Sequence, residues 1–357
     1  MCAECVEVSG SYREMGRQHG EALREGAEQM CEIRIELSLQ RARQCRPDYQ
    51  VGDLLELAGE HLVYHERYCP DTHEEFLGIC EGGNIEPERL LIGNGYTDYV
   101  DVVTAGLAGT CECTHIAAGP PATADGMLYL GQTWDMDFAA AEYVICIRRK
   151  PKNGPATIGI TTAGCLSLIA INEAGIAIGN TNLISNDARP GVIYLATINN
   201  ALGEATFDEA VGAIKEAPRA SGHHFYIGGP QRQMVGLETS ATAAAELGPD
   251  GCGVYAHTNH YISEQMRQYE GTQAPSVNSI DRQGRAQQLL HEKCGDLDVS
   301  GMMEILSDHA GENRICRHTD NPSEAASLAA VIMAPEKGQM SFTIGNSCER
   351  AFTNLCI

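Results

Sequence analysis

The chain has 357 residues, 43% hydrophobic and 20% charged, enough apolar material for one large core or two ordinary ones. Its 48 acidic residues outnumber 25 basic ones, and the net charge of -23 repels the phosphates of nucleic acid and anionic membranes, so neither is assigned as a partner. No segment has the apolar length of a membrane-spanning helix, and the opening MCAECVEVSGSYREMG lacks the pattern of a signal peptide. A cytoplasmic location and reduced thiols are therefore expected, with no disulfide framework among the 15 cysteines.

From about Tyr12 to Thr104 the pattern is helical. YREMGRQHGEALREGAEQMCEIRIELSLQRAR carries apolar residues at helical spacing with charged partners between them. PDTHEEFLGICEGG reads as a helix opened by Pro70 and Asp71 and closed by Gly82 and Gly83, and EPERLLIGNGYTDYVDVV as another entered at Pro87. After Ala108 the character changes. CTHIAA, MLYLGQTW, EYVICIRRK, ATIGITT and SLIAINEAGIAIGNTNL are short β-rich runs broken by turn residues. Helices are predicted at Ile193–Ala201 and Thr206–Lys215, strands at HHFYIGG, QMVGLETS and GVYAHTNH, helices again between Ser279 and His309, and two closing strands at SLAAVIMAP and MSFTIG. Helices, strands, helices and strands in succession predict α+β layering rather than βαβ units, with no linker dividing the chain.

The break at Ala108–Cys113 places a cysteine at the start of a strand, behind a helical segment. A cysteine attacks well when a base lies within reach. If the peptide bond before it is cut, its own α-amine, which ordinarily titrates at roughly 7.7–8.0, becomes that base. Cys113 in CECT fits this scheme, and Cys111 is the competing choice. Other chemistry is open at this level. Cys111 with Cys113, or Cys2 with Cys5, offers thiolates to a metal, although neither has a partner pair at the usual spacing. His257 and His260, with His223, His224, Asp135 or Asp137, suggest a metal-dependent hydrolase; the competing reading makes them core hydrogen-bonding groups.

Seven segments in order resemble the penicillin acyltransferase family of Ntn hydrolases, also called the acyl-coenzyme A:6-aminopenicillanic acid acyltransferase or peptidase C45 family. They are GSYREMGRQHG, EEFLGICEGGNIEPERLLIGN, the Cys113-Thr114 pair, GQTWD at Gly131–Asp135, NEAGIAIGNTNL, HTNH at His257–His260 and ICR at Ile315–Arg317. The resemblance implies a four-layer αββα sandwich, formed as one precursor of residues 1–357. It implies a cut between Glu112 and Cys113, giving a helical fragment 1–112 and a β-rich catalytic fragment 113–357 that remain associated.

On the same resemblance, Cys113 is the nucleophile and base, and Asp135 holds its amine. Asn259 donates to the oxyanion, and Arg317 keeps the site electropositive. Asn182, or else Asn180, faces the substrate carbonyl; Trp134 is a further candidate for the substrate wall, and strand alternation, which puts His115 on the face of Cys113, adds His115. The implied reaction is cleavage or transfer of an acyl group of a small N-acyl or amide compound through a Cys113 thioester. Water or an amine resolves the thioester, acyl-CoA is a possible donor, and no metal or cofactor is called for. Two residues depart from the family pattern: Glu112 replaces the glycine before the nucleophile, and His115 replaces a small residue after Thr114. The first leaves open a silent homologue blocked in maturation.

Overall fold

The computed structural model describes residues 5–107, 112–271 and 276–357. A first strand, β1 (Val6–Gly10), leads into α1 (Tyr12–Ala22), whose start is held by a capping box between Ser11 and Glu14. Helices α2 (Arg24–Cys45), α3 (Val51–Tyr68), α4 (Pro70–Gly83), α5 (Pro87–Asn94) and α6 (Tyr96–Thr104) follow. Helix α4 begins at Pro70 and ends at Asn84 in the left-handed region, φ 55°.

The repeated glycines of the first two motifs have one physical cause. Gly16 and Gly20 of α1 face Gly78 and Gly82 of α4, and at each of the four an added Cβ would run into the other helix's backbone. The two helices pack backbone against backbone, which only glycine permits. GNG does not continue a helix as the sequence suggests. The chain breaks at Gly95, where an added Cβ would meet Ile193 Cγ2 at 2.5 Å, so α5 and α6 are separate.

The strands then run β2 (Glu112–Ala118), β3 (Tyr129–Asp137), β4 (Val144–Pro151), β5 (Thr157–Thr162), β6 (Ile169–Asn172) and β7 (Ala177–Asn182). After α7 (Tyr194–Leu202) and α8 (Phe207–Glu216) come β8 (His223–Gly228), β9 (Met234–Thr239), β10 (Ala244–Leu247) and β11 (Val254–His257). Helices α9 (Val277–Glu292) and α10 (Val299–Leu306) precede β12 (Ala325–Ala334), β13 (Gln339–Ile344) and β14 (Thr353–Cys356). The short strands β1, β10 and β14 escape the sequence reading; each is four or five residues with little apolar alternation.

These strands form an eight-stranded sheet, ordered β1-β4-β5-β6-β7-β8-β9-β10, and a six-stranded sheet, ordered β11-β2-β3-β12-β13-β14. Their inner faces share one core, with Ile160, Ile178 and Phe225 from the first and Leu130, Trp134 and Val331 from the second. Helices α1, α7 and α8 pack on the eight-stranded sheet, with α2–α6 joined to them, and α9 and α10 pack on the six-stranded sheet. A second core of Ile116, Ala286, Leu290, Met302 and Ile305 fills that outer interface. The layers are helix, sheet, sheet, helix: the α+β sandwich anticipated from the sequence.

One expectation fails. Strand β1 lies parallel to β4 in the register Val6↔Ile147, and the preceding residues Cys5 and Cys146 form a disulfide with a Cα–Cα distance of 4.7 Å. The pairing was invisible because it spans 141 residues and depends on an unpredicted strand. Cys2, Cys111 and the start of the Ala108–Cys113 break lie outside the described residues.

Gly78→Ala should lower stability by about 1–3 kcal/mol, because the α1–α4 backbones must separate to admit the methyl group. Gly59→Ala in α3, where an added Cβ meets nothing within 4 Å, should be neutral or stabilising. Denaturant melts of the two variants check the contrast, and equal stabilities would contradict the packing account.

Candidate active site

Cys113 is the second residue of β2, between β3 and β11, and 4% exposed. Its partner on β3 is Trp134. On the other side, β11 pairs with β2 only as far as His257↔His115. Past that point the chain leaves the ladder, and the Asn259 side chain takes over: the Cys113 N–H donates to Asn259 Oδ1 at 2.8 Å. Asn259 Nδ2 donates to the Asn182 carbonyl at 3.0 Å, at the end of β7 in the other sheet. Asn259 therefore ties the Cys113 backbone to both sheets.

The carbonyl side of Cys113 is held by a residue the sequence reading missed. Arg282, fully buried on α9, donates from Nη1 to Cys113 O at 2.6 Å and Thr114 Oγ1 at 3.0 Å, and from Nη2 to Asn259 Oδ1 at 2.9 Å. Its Nε donates to Asn278 Oδ1 at 2.6 Å. One turn earlier, Ser279 Oγ accepts the Asn259 N–H at 2.8 Å. The signal was present in the helix pattern: Ser279, Arg282, Ala286 and Leu290 form the buried stripe of α9, and an arginine on such a stripe needs buried acceptors.

Burial first, and then the Asp135 carboxylate, push the Cys113 thiol up to about 12, against the Asp135 backbone amide, Arg282 and Gln132, which pull it down. Arg282 is thus the cation acting on this thiol. Arg317 stands elsewhere, paired with the Glu112 carboxylate at the start of β2. Glu112 and Cys113 alternate across the strand, so the Glu112 side chain sits on the face opposite the thiol.

Asp135 is fully buried on β3, and burial raises its carboxyl to about 7 despite Arg282. A register shift between Ser327 and Ala329 on β12 aims the Ser327 hydroxyl at it, donating to Oδ1 at 2.6 Å. The same Ser327 Oγ accepts the Arg317 N–H at 2.9 Å.

The inner face of Cys113 meets a narrow cavity lined by Trp134, Met136, Leu168, Asn180, Asn182 and Tyr194, with room for about one water. Asn182 Oδ1 and Asn180 Oδ1 are buried without a hydrogen-bond partner, and Asn180 Nδ2 lies 3.1 Å from His223 Nδ1. Of the sequence-chosen residues, Cys113, Trp134, Asn182 and Asn180 share this cavity, with Asn259 and Asp135 behind Cys113. His115 does not line it. Its ring stacks on Tyr226 at 3.7 Å, its Nδ1 is 2.9 Å from Gly131 O, and burial drives its pKa down to about 3.

His257 and His260 serve the loop that carries Asn259. His257 Nε2 lies 2.9 Å from Glu238 Oε1, and His260 Nδ1 lies 2.8 Å from Ser279 Oγ. Glu238 also accepts the Ile262 and Ser263 amides at 2.6 and 3.1 Å. Among the described residues, neither histidine belongs to a group of side chains close enough to share a metal ion.

Comparison with known proteins agrees with the sequence motifs. Residues 122–349 match the profile of the family described as acyl-coenzyme A:6-aminopenicillanic acid acyl-transferase. The 40 kDa form of acyl-coenzyme A:6-aminopenicillanic-acid-acyltransferase from Emericella nidulans is 24% identical over 290 residues, covering 80% of this chain and 76% of that protein. A variant of the conjugated bile acid hydrolase of Clostridium perfringens matches at TM-score 0.46 and 13% identity, over 69% of this chain and 97% of that one. Penicillin V acylase from Agrobacterium tumefaciens matches at TM-score 0.43 and 16% identity, over 65% and 83%.

Arg282→Gln should slow iodoacetamide alkylation of Cys113 by about tenfold, the effect of one pKa unit added to the thiol. Arg317→Gln should leave that rate near wild type, because Glu112 already neutralises it. Quantified alkylation, with circular dichroism as the folding check, decides between the arginines; slowing in Arg317→Gln alone would reverse the assignment. His115→Gln should keep the shape of the wild-type pH–rate profile between pH 5 and 8, since His115 stays neutral throughout that range.

Proposed function

The chain belongs to the acyl-coenzyme A:6-aminopenicillanic acid acyl-transferase family, and on that footing we propose a self-processing enzyme whose mature nucleophile is the thiol of Cys113. The observation that carries the reading is the separate anchoring of the Cys113 backbone. Its nitrogen is held by Asn259 and its carbonyl by Arg282, while its thiol faces a cavity containing Trp134 and Asn182. Cutting the bond before Cys113 turns that anchored nitrogen into an α-amine beside its own thiol, without displacing either.

In the proposed maturation, Cys113 Sγ attacks the Glu112 carbonyl, the acyl group passes from nitrogen to sulfur, and water hydrolyses the resulting ester. Glu112 does not obstruct this, because its side chain pairs with Arg317 on the opposite face. In turnover, the freed amine takes the thiol proton and the thiolate attacks the carbonyl of an N-acyl or amide substrate. The Nδ2 groups of Asn259 and Asn182 supply the oxyanion's donors, and Arg282 steadies the developing charge. Asp135, next to the cleavage point on β3, holds the amine. The substrate's C–N bond then breaks, its amine leaves with the proton held by the α-amine, and the acyl group rests on sulfur as a thioester until water or an acceptor amine removes it. The relative from Emericella nidulans, by name an acyl-coenzyme A-dependent acyltransferase, supports acyl-CoA as a donor class.

Fragments 1–112 and 113–357 stay together in this account. Buried Glu75 pairs with Arg149, buried Asp98 lies 3.1 Å from His223, and Asn94 bonds Gly164 O and Leu166 N across the divide. The Cys5–Cys146 bridge also crosses it. No helix among the described residues is long and apolar enough to cross a membrane. The sequence reading expected reduced thiols together with a cytoplasmic location, and the Cys5–Cys146 bridge departs from the first of these.

Three outcomes follow from this reading. Wild-type protein should give two bands on a reducing gel and one on a non-reducing gel, while Cys113→Ala gives one band on both; a one-band wild type that turns over substrate would exclude the amine as base. The rate should rise with pH as the α-amine deprotonates, with a midpoint at roughly 7.7–8.0 before site effects. A rate flat from acid to pH 8 would contradict it. Asn259→Ala should lose about 100- to 1,000-fold in kcat with little change in KM, because the donor matters only once charge builds on the carbonyl oxygen.

A further inference from the structure

Four side chains outside the nucleophile's site converge at the end of the six-stranded sheet. His309 follows α10, Cys316 and His318 lie on the loop before β12, and Cys348 lies on the turn between β13 and β14. Their four ligand atoms all lie within 4.8 Å of one another. His309 Nε2 and His318 Nε2 are 3.2 Å apart, Cys316 Sγ and Cys348 Sγ 3.7 Å, His318 Nε2 and Cys348 Sγ 3.2 Å, and Cys316 Sγ and His318 Nε2 3.7 Å.

These separations have a simple geometric meaning. Tetrahedral zinc with Zn–S near 2.3 Å and Zn–N near 2.0 Å sets its ligands about 1.6 bond lengths apart, so S–S is about 3.8 Å, N–N about 3.3 Å and S–N about 3.5 Å. The four observed distances fall close to these values. The surroundings suit bound zinc as well. Cys316 Sγ receives Asn346 Nδ2 at 3.7 Å and Ser347 Oγ at 3.6 Å, donors that stabilise a thiolate. His318 presents Nε2 to the cluster and Nδ1 to Glu349 Oε1 at 3.4 Å, the carboxylate–histidine arrangement that orients a zinc ligand.

We propose that His309, Cys316, His318 and Cys348 form a Cys2His2 site for Zn2+. Binding releases the two thiol protons and gives a centre of no net charge from two thiolates, two neutral imidazoles and one divalent ion. Four protein ligands leave no position for water or substrate, so the site is structural. It ties the end of α10, the loop before β12 and the β13–β14 turn at one point. Arg317 lies between two ligands, and its backbone amide bonds Ser327, which in turn bonds Asp135. The site is thus a clamp on the loop that meets the proposed cleavage point.

The sequence reading assigned no metal, because ligands at 309, 316, 318 and 348 match no compact spacing and only the fold brings the fourth to the other three.

Wild-type protein purified without chelators should contain one zinc per chain by inductively coupled plasma mass spectrometry. After zinc removal, Co2+ should give the intense visible bands of tetrahedral cobalt and a thiolate charge-transfer band in the near ultraviolet. Cys348→Ser and His309→Ala should lose most of the zinc and the cobalt spectrum, while Cys45→Ser, an exposed thiol outside any such cluster, retains both. Wild-type protein with neither zinc nor a cobalt spectrum would overturn the proposal, as would a Cys316–Cys348 disulfide in the isolated protein. The wild-type spectrum decides even if a variant fails to fold.

Discussion

A single buried guanidinium organises the centre of this protein. Arg282 reaches from α9 through the six-stranded sheet's outer face to the Cys113 carbonyl, the Thr114 hydroxyl and the Asn259 amide oxygen. Burial costs the charge its hydration and pulls its pKa down, while Asp135 and Cys113 counteract this. A cation in such a place is stable only if acceptors surround it, and those acceptors are Cys113 itself and the groups that hold it. Fold and site therefore constrain each other: α9 can dock only where β2 and the Asn259 loop present their oxygens.

The same logic extends outward. Asn259 substitutes for a strand where β11 leaves β2, so the ladder ends in a side-chain amide rather than in another backbone. His257, Glu238 and Ser279 fix the loop that presents it. On the far side, the β12 bulge turns Ser327 toward Asp135 and binds the loop of Arg317. In the zinc account, that loop is also clamped from below. Each support acts through groups with few alternative partners, which suits the proposed maturation, in which the site would keep its geometry while the bond before Cys113 is cut.

The layers, most strands and most helix limits were legible because apolar periodicity and turn residues report burial locally. The glycines of α1 and α4 were legible as motifs, but their reason was not: it lies in a helix contact between Gly16 and Gly78 that no local pattern encodes. Cys113 was flagged by the break in pattern before its strand, whereas Asp135 and Asn259 emerged from family resemblance rather than from the physics of their neighbourhoods. Arg282 was missed because a helical arginine reads by default as a solvated charge. Arg317 was chosen from its motif, but a sequence cannot show that Glu112 engages its charge. The Cys5–Cys146 bridge and the four-residue metal cluster share a cause of invisibility, since both depend on contacts between segments far apart in the chain.

The central claim is that acyl transfer runs through the thiol of a chain that begins at Cys113. The most direct test is to quench the enzyme in acid during turnover of an N-acyl amide and map the adduct by peptide mass spectrometry. The account predicts an acyl group on Cys113 Sγ, labile to hydroxylamine, in a peptide whose first residue is Cys113. An acyl group on another residue, or on Cys113 within an uncut chain, would contradict it.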